Sequence, residues 1–229
     1  MARALVSIII PTLNSRDELA SCLGSLSEGL TSGVIRELIV TDGGSQDGTA
    51  DLAAEAGAIN VAGAPSRGGQ LRRGCASASG EWLLVLHADT QLSAGWAEVV
   101  LDHVRSQSGP AYFKLSFRAK GMVPKIVAGW ANLRARIFGL PYGDQGLLIA
   151  RSDYDNAGGF ADVPIMEDVD LIRKLTTRAR ALPATASTSA EKYIAQGWVR
   201  RGTLNLLMLM RYLLGTSPEQ LAREYTRKR

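Results

Sequence analysis

Trp82-Leu83-Leu84-Val85-Leu86-His87-Ala88-Asp89-Thr90 is an apolar run that ends in an imidazole, a carboxylate and a hydroxyl. Successive apolar residues without alternation predict a strand covered on both faces, as in the parallel sheet of an α/β domain. In open α/β sheets the ligand crevice lies outside the carboxyl ends of the strands, so His87 and Asp89 fall where a ligand binds. The same ending also suits a strand that only runs into a turn. Its neighbours decide between the two.

Upstream, Val6-Ser7-Ile8-Ile9-Ile10 reads as a first strand stopped by Pro11, and Asn14-Ser15 supplies an N-cap for a helix through Leu19, Leu23 and Leu26. Glu37 to Thr41 is a second strand. The polar turn Asp42-Gly43-Gly44-Ser45-Gln46-Asp47-Gly48-Thr49 leads from it into a helix ending near Gly57. Ala58 to Val61 is a weaker third strand, and Ser66-Arg67-Gly68-Gly69-Gln70-Leu71-Arg72-Arg73-Gly74 opens a helix of small residues that stops at Gly80. Strands separated by helices imply a mostly parallel sheet.

Downstream, Gly95 to Ser106 is predicted helical and Tyr112 to Phe117 alternates like a half-buried strand. Pro124 to Ile137 is a helix with Trp130, Leu133 and Ile137 on one face, in a segment that covers a sheet edge and shapes a pocket. The turn Pro141-Tyr142-Gly143-Asp144-Gln145-Gly146 precedes a strand, Leu147 to Ala150, and a Gly-Gly-Phe loop then delivers Met166-Glu167-Asp168 to a helix start. On that helix Asp168, Leu171, Ile172 and Leu175 share one face, whereas Asp170 and Lys174 pair on another. Asp168 is therefore aimed inward, and Glu167 is the residue that a helix dipole alone would explain.

The 229 residues, 46% hydrophobic with 24 glycines, suit one sizeable α/β domain with a C-terminal extension. A net charge of +4, with the arginines scattered and not gathered into a recognition helix, points to an anionic small molecule or a membrane surface, and no nucleic-acid partner is expected. Cys22 and Cys75 stand apart with no second ligand pair, so neither a zinc site nor a disulfide framework is indicated, and a reducing cytoplasm is the default. The apolar run Leu5 to Ile10 is too short for a signal-peptide core, and no segment approaches the roughly 20 apolar residues that span a bilayer.

Near the C-terminus, Leu204, Leu206 to Met210 and Tyr212 to Leu214 form an apolar helix bounded by Arg200, Arg201 and Arg211, with Lys228 and Arg229 ending a polar tail that faces water. Such a helix packs on the domain, makes a homodimer contact, or lies on a membrane as a peripheral element near a lipid-linked acceptor. The expected location is the cytoplasm, with the inner face of the membrane as its boundary.

Taken together, Val-Ser-Ile-Ile-Ile-Pro-Thr-Leu-Asn, Val-Thr-Asp-Gly-Gly-Ser-Gln-Asp-Gly-Thr, Leu-His-Ala-Asp-Thr and Glu-Asp-Val-Asp-Leu, in that order, resemble the family 2 glycosyltransferases of the GT-A fold. The resemblance covers almost the whole chain. The Pro-Tyr-Gly-Asp-Gln-Gly turn and the short tail are similar to the small bacterial branch associated with radical-SAM/selenodomain proteins. The resemblance implies a GT-A-like domain over residues 1–198, with a nucleotide-sugar half (1–90), an acceptor half (91–198) and a helical extension (199–229). It implies transfer of a sugar from a nucleotide diphosphate donor, a UDP-sugar by expectation, to a hydroxyl acceptor that the sequence does not identify. Inversion and a divalent metal on the diphosphate are expected too.

Position by position, Pro11 and Asn14 match the nucleoside pocket, and Asp42 matches the carboxylate that contacts the base, with Asp47 the second acidic position of that turn. Arg67 offers charge to a base edge or phosphate. Asp89 matches the last Asp of the Asp-x-Asp metal motif, and His87 stands where the first Asp would be. An imidazole there favours Mn²⁺ over Mg²⁺ if it ligates, or is a hydrogen-bonded histidine lining the pocket if it does not. Asp168 matches the general base of inverting members, because an attacking hydroxyl must lose its proton as the new bond forms. Glu167, Asp144, Gln145 and Trp198 are assigned to the acceptor or diphosphate.

Two other classes share parts of this pattern. A sugar nucleotidyltransferase has a similar core but places a Gly-rich loop with Arg and Lys directly after the first strand, where this chain has Pro11-Thr12-Leu13-Asn14. A non-catalytic nucleotide-sugar-binding protein would keep the fold while altering the metal motif at His87.

Overall fold

The structure is a computed structural model that describes residues 5–106 and 109–227. The tail residues Lys228 and Arg229, expected to face water, lie outside the described residues. Eight strands form one sheet in the order β3-β2-β1-β4-β7-β6-β8-β5, where β1 is Val6–Thr12, β2 Ile35–Asp42, β3 Ile59–Ala62, β4 Trp82–Val85, β5 Gln91–Leu92, β6 Ala111–Phe117, β7 Leu147–Ala150 and β8 Arg180–Thr188. The first four are mutually parallel. Beyond them β7 runs antiparallel to β4 and β6, and β6 runs parallel to β8. The expected parallel arrangement therefore describes the N-terminal half, and the other half is mixed.

Side-chain alternation along β1 builds the two faces of the core. Val6, Ile8 and Ile10 pack with Leu19, Cys22 and Leu26 of α1 (Arg16–Thr31) and with Trp96 and Val100 of α4 (Trp96–Ser106). Ile9 points the other way, with Ile39, Leu83 and Val85, onto Leu71 and Cys75 of α3 (Arg67–Ser77), Tyr154 of α6 (Arg151–Asn156) and Leu171 and Ile172 of α7 (Glu167–Lys174). The small residues of α3 let it lie close to the sheet: a Cβ at Gly74 would come 2.6 Å from Ile9 and 2.8 Å from Thr41. α1 and α2 (Thr49–Glu55) cover the first face and α3 the second, so the chain reverses its direction of winding between β1 and β4.

That reversal opens the sheet. β1 pairs with β4 only from Val6 to Ile9, whereas its pairing with β2 continues to Thr12. The expected strand from Trp82 to Thr90 is shorter in the structure: β4 ends at Val85, Leu86 makes one more bond to the Ile9 carbonyl, and the chain then turns, with Thr90 N donating to the His87 carbonyl. His87 and Asp89 are thus loop residues at the mouth of the split, the place where ligands bind in such sheets.

Three further features were not legible in the sequence. The N-terminus of α1 is capped from the next loop, where Asp47 accepts from Arg16 N (3.0 Å) and Thr49 Oγ1 from Ser15 N (3.0 Å); the Ser15 side chain makes no cap bond. β8 was not legible, because Pro183 argues against an inner strand. It is accommodated where the β6·β8 register shifts, between Tyr112↔Ala181 and Lys114↔Thr185. In α5 (Met122–Phe138) the shared face of Trp130, Leu133 and Ile137 forms as expected but is exposed, and Pro124, Ala128, Ala131 and Ala135 are the buried side.

The C-terminal extension is two helices, α9 (Trp198–Leu213) and α10 (Pro218–Arg227). Among the described residues no helix is long and apolar enough to cross a membrane. Cys22 and Cys75 are free and buried, and burial pushes both thiols up to about 12.

Candidate active site

Two adjoining cavities, of about 390 and 410 Å³, open at the split between β1 and β4 and share Arg67, His87, Asp89, Pro164, Ser189 and Lys192. The first is walled by Pro11, Thr12 and Gln70, and the second by Asp144, Glu167, Asp168, Tyr193 and Arg201. Residues from both halves of the chain therefore face one continuous cleft.

Arg67, the first residue of α3, stands at its centre. Its Nε donates to Glu167 Oε1 at 2.5 Å, and its Nη2 lies 3.2 Å from His87 Nδ1 and closer still to Nε2. The glycines after it make this possible. A Cβ at Gly68 would sit 2.0 Å from the Ala161 carbonyl, and one at Gly69 2.5 Å from Asp162 Oδ1, so only a bare backbone lets residues 161–163 dock on the start of α3. Gly68 N donates to the Val163 carbonyl (3.1 Å) and Ser66 Oγ to Asp162 Oδ1 (2.5 Å). The docked loop passes through Met166, at φ +66°, directly into Glu167 and Asp168. A non-glycine residue in the left-handed region is strained, and here it turns two successive carboxylates into the cleft.

The carboxylates divide sharply. Glu167 is 2% exposed, and its carboxyl is pushed up to about 7 by burial, with Arg67 opposing and Asp168 adding to the rise. Asp168 is half-buried; its Oδ2 accepts from Gly143 N at 2.6 Å and its Oδ1 from Val169 N at 2.7 Å. The expected Asp170–Lys174 pair forms at 2.6 Å. Asp144 is pushed up to about 6 by burial, against the pull of Arg134 and with Asp168 and Asp89 raising it further; its Oδ1 is buried with no hydrogen-bond partner. Asp89 Oδ1 is likewise buried and unpartnered, while the Asp89 carbonyl accepts from Arg118 Nη1 at 2.7 Å. Burial and then the Arg67 charge hold the His87 imidazole well below its ordinary value, so the ring is neutral and accepts from Arg67.

Other predicted residues serve the frame. Asp42 lies at the end of β2 with its oxygens taken by Gly44 N (2.9 Å), Ser45 N (2.7 Å), Ser45 Oγ (2.5 Å) and Thr12 Oγ1 (3.0 Å). Burial raises its pKa, but these donors outweigh burial and the net shift is downward. Asn14, at φ +49°, ties the same turn by accepting from Gln46 N (2.9 Å). Gln145 is buried and bonds Asn132 (3.2 Å) and the Phe113 carbonyl (3.4 Å), and Trp198 stacks on Tyr193 and meets Phe117 edge-on. None of these four lines the cleft. Of the sequence-predicted residues, Pro11, Arg67, His87, Asp89, Asp144, Glu167 and Asp168 do.

Sequence reasoning missed Arg118, which holds the Asp89 and Ser187 carbonyls, and the pair Arg134–Tyr142, whose guanidinium lies 3.4 Å from the ring centre. It also missed Tyr193, Asn205 and Tyr225, which wall the cavity beside Arg201; Arg201, which the resemblance placed with Gln196 and Trp198 in a partial acceptor or diphosphate motif, donates to Gln196 Oε1 (2.8 Å) and to Tyr225 Oη (2.7 Å). No local motif marks Tyr193, Asn205 and Tyr225, because they meet only through the packing of α8 (Glu191–Gln196), α9 and α10.

A mixed α/β sheet split at the β1/β4 reversal, with acidic and basic side chains converging on the split, defines a GT-A fold. Residues 7–117 match the family described as Glycosyl transferase family 2. A PGL/p-HBAD biosynthesis glycosyltransferase of Mycobacterium bovis (strain BCG / Pasteur 1173P2) is 40% identical over 106 residues, covering 40% of this chain and 38% of the relative. This chain thus spans well under half the length of that curated relative. A TPR repeat-containing protein of Synechococcus elongatus is 35% identical over 101 residues, or 43% of this chain and 24% of that one. Among solved structures, glucosyl-3-phosphoglycerate synthase of Mycobacterium tuberculosis in complex with Mn²⁺ and UDP-glucose shares the fold with TM-score 0.55 at 22% identity, over 81% of this chain and 70% of that one.

Proposed function

We propose that this chain transfers a sugar from a nucleotide diphosphate donor, a UDP-sugar, to an acceptor hydroxyl with inversion at the anomeric carbon. The observation that carries the reading is the single cleft in which Arg67, His87 and Asp89 of the N-terminal half face Asp144, Glu167 and Asp168 of the other half. The cavity walled by Pro11, Thr12 and Gln70 takes the nucleoside, and the one walled by Asp144 and Asp168 takes the sugar and acceptor. The bacterial synthase of like fold that was solved with Mn²⁺ and UDP-glucose supports the choice of donor and metal.

The residues present fit a divalent cation of a particular kind. Among the described residues no three His, Cys, Asp or Glu side chains are grouped to hold a metal alone. The orphan Oδ1 of Asp89 instead suits a cation held by one carboxylate together with substrate phosphates. Such a cation, Mn²⁺ in preference to Mg²⁺, supplies neutralisation of the leaving diphosphate. His87, with Arg67 against both ring nitrogens, acts as the seat of Arg67 and not as a ligand.

Arg67 presents a guanidinium to the diphosphate. Asp168 keeps a lone pair on each oxygen after its two backbone bonds and takes the proton of the acceptor hydroxyl. As the acceptor oxygen bonds to the anomeric carbon, the bond from that carbon to the phosphate oxygen breaks, and the nucleotide diphosphate leaves with the electron pair. Asp144 accepts hydrogen bonds from sugar or acceptor hydroxyls. Residues 1–90 act as the donor half, 91–198 as the acceptor half, and 199–229 close the acceptor cavity through Arg201, Asn205 and Tyr225.

Titration calorimetry with UDP and Mn²⁺ tests the reading. Saturable, Mn²⁺-dependent binding is expected, and Asp89→Ala is expected to weaken it at least tenfold. No binding of any nucleotide diphosphate, or unchanged affinity in the variant, overturns the donor site.

A further inference from the structure

α5 is amphipathic the wrong way round for a helix on a soluble sheet. At 100° per residue, Met122, Ile126, Trp130, Leu133 and Ile137 fall within an arc of about 80°. All five are exposed, Met122 by 69%, Ile126 by 64% and Trp130 by 53%. The buried arc opposite holds only Pro124 and the three alanines. A surface helix ordinarily buries its large apolar side chains and shows polar ones to water. A continuous apolar stripe left outside marks an interaction surface.

The charges around the stripe say what covers it. Between Asp102 and Asp144 the sequence has seven Lys or Arg residues and no Asp or Glu. Arg118 and Lys120 are exposed just before the helix, Lys125 beside the stripe in its first turn, and Arg136 in its last turn. Arg178 joins them there, donating to the Arg136 and Ile137 carbonyls. Cations at both ends of an apolar stripe, with a tryptophan in its middle, match a helix lying in the plane of an anionic lipid interface. A symmetric contact between two copies would set the same cations against each other with no carboxylate of this segment to pair them.

We infer that α5 is an interfacial helix that docks this protein on an anionic lipid bilayer, with Met122, Ile126, Trp130, Leu133 and Ile137 in the acyl boundary and Lys120, Lys125, Arg136 and Arg178 at the headgroups. The expected membrane contact thus falls on α5, where the sequence suggested the apolar C-terminal helix. α5 leads directly into the turn that carries Asp144, so docking ties the acceptor side of the cleft to the membrane. The inference stands on the helix face and its charges, independently of the donor site.

Co-sedimentation of the full chain with vesicles tests it, using phosphatidylcholine alone and an equimolar mixture with phosphatidylglycerol. The wild type is expected to partition onto the anionic vesicles and only weakly onto the neutral ones. Ile126→Glu with Leu133→Glu, both on an exposed face and so compatible with folding, is expected to reduce anionic-vesicle binding at least tenfold while leaving UDP binding unchanged. Lys125→Gln with Arg136→Gln is expected to weaken it by about fivefold per charge, and to do so only on the anionic vesicles. Equal binding to both vesicle types, or wild-type partitioning by the Glu variant, overturns the inference. So does a wild-type dimer in sedimentation equilibrium that the Glu variant abolishes, since the face would then be a contact between copies.

Discussion

Glu167→Gln separates the two forces that act on the centre of the cleft. Glu167 is buried, and its carboxyl is pushed up from 4.5 to about 7 in the folded chain, because the cost of burying the charge exceeds the attraction of Arg67. Between those two values the folded state binds more protons than the unfolded one, so stability falls as pH rises through the window and is level above it. A shift from 4.5 to about 7 corresponds to about 3 kcal/mol lost between pH 5 and pH 8.

Gln keeps an oxygen to accept from Arg67 Nε and carries no charge to bury. The two proteins are therefore expected to be similar in stability at pH 5, with the Gln variant about 3 kcal/mol the more stable at pH 8. The wild-type curve alone would mislead. The His87 imidazole, held below its ordinary value, contributes stability that is lost as pH falls through about 6.5, partly masking the trend from Glu167. The difference between the two proteins cancels that contribution. Urea unfolding at both pH values measures it. A difference that does not change with pH, or a Gln variant that loses ground at pH 8, would refute the reasoning, because the ion pair with Arg67 would then outweigh burial.

Asp168→Asn is expected to leave UDP binding within about twofold and to lower sugar transfer by at least a hundredfold, the lower end of what a general base contributes; a transfer assay paired with calorimetry distinguishes this from a loss of donor binding. Gly68→Ala puts a Cβ 2.0 Å from the Ala161 carbonyl and is expected to cost about 1–3 kcal/mol in urea unfolding. Gly24→Ala, with nothing within 4 Å of its Cβ, should instead gain up to about 1 kcal/mol. Trp96→Ala removes a fully buried indole whose Nε1 donates to the Ser25 carbonyl at 3.0 Å, and is expected to cost about 3–5 kcal/mol by the same measurement, without altering the affinity for UDP of the protein that remains folded.

Much of the N-terminal half was written in local patterns. The β-branched run of β1, the apolar run of β4 and the polar turn between β2 and α2 each announce their element by periodicity or composition, and a parallel βα order leaves few ways to assemble them. The positions of Asp89 and Asp168 at the ends of predicted elements followed from the same patterns. Local pattern failed where side chains are chosen for a partner distant in sequence. Periodicity placed Trp130, Leu133 and Ile137 of α5 on one side, but it reports which residues share a side and not which side the sheet takes. The small residues opposite it, which allow the closest approach, took the sheet. Asp42 looked like a ligand because a carboxylate in a Gly-rich turn is a good acceptor, yet four donors of its own turn and of β1 fill its oxygens.

The strand from Trp82 shows the division most clearly. The sequence by itself determined that an apolar strand ends near a histidine and an aspartate. Only the tertiary structure decided that the strand stops at Val85, where β1 and β4 part company, and that an arginine twenty residues earlier lies against the histidine. Hydrophobic patterning is a property of neighbouring residues, whereas the Arg67–Glu167 pair joins positions a hundred residues apart. That pair exists because Gly68 and Gly69 let one backbone rest on another, and no stretch of sequence read alone contains both surfaces.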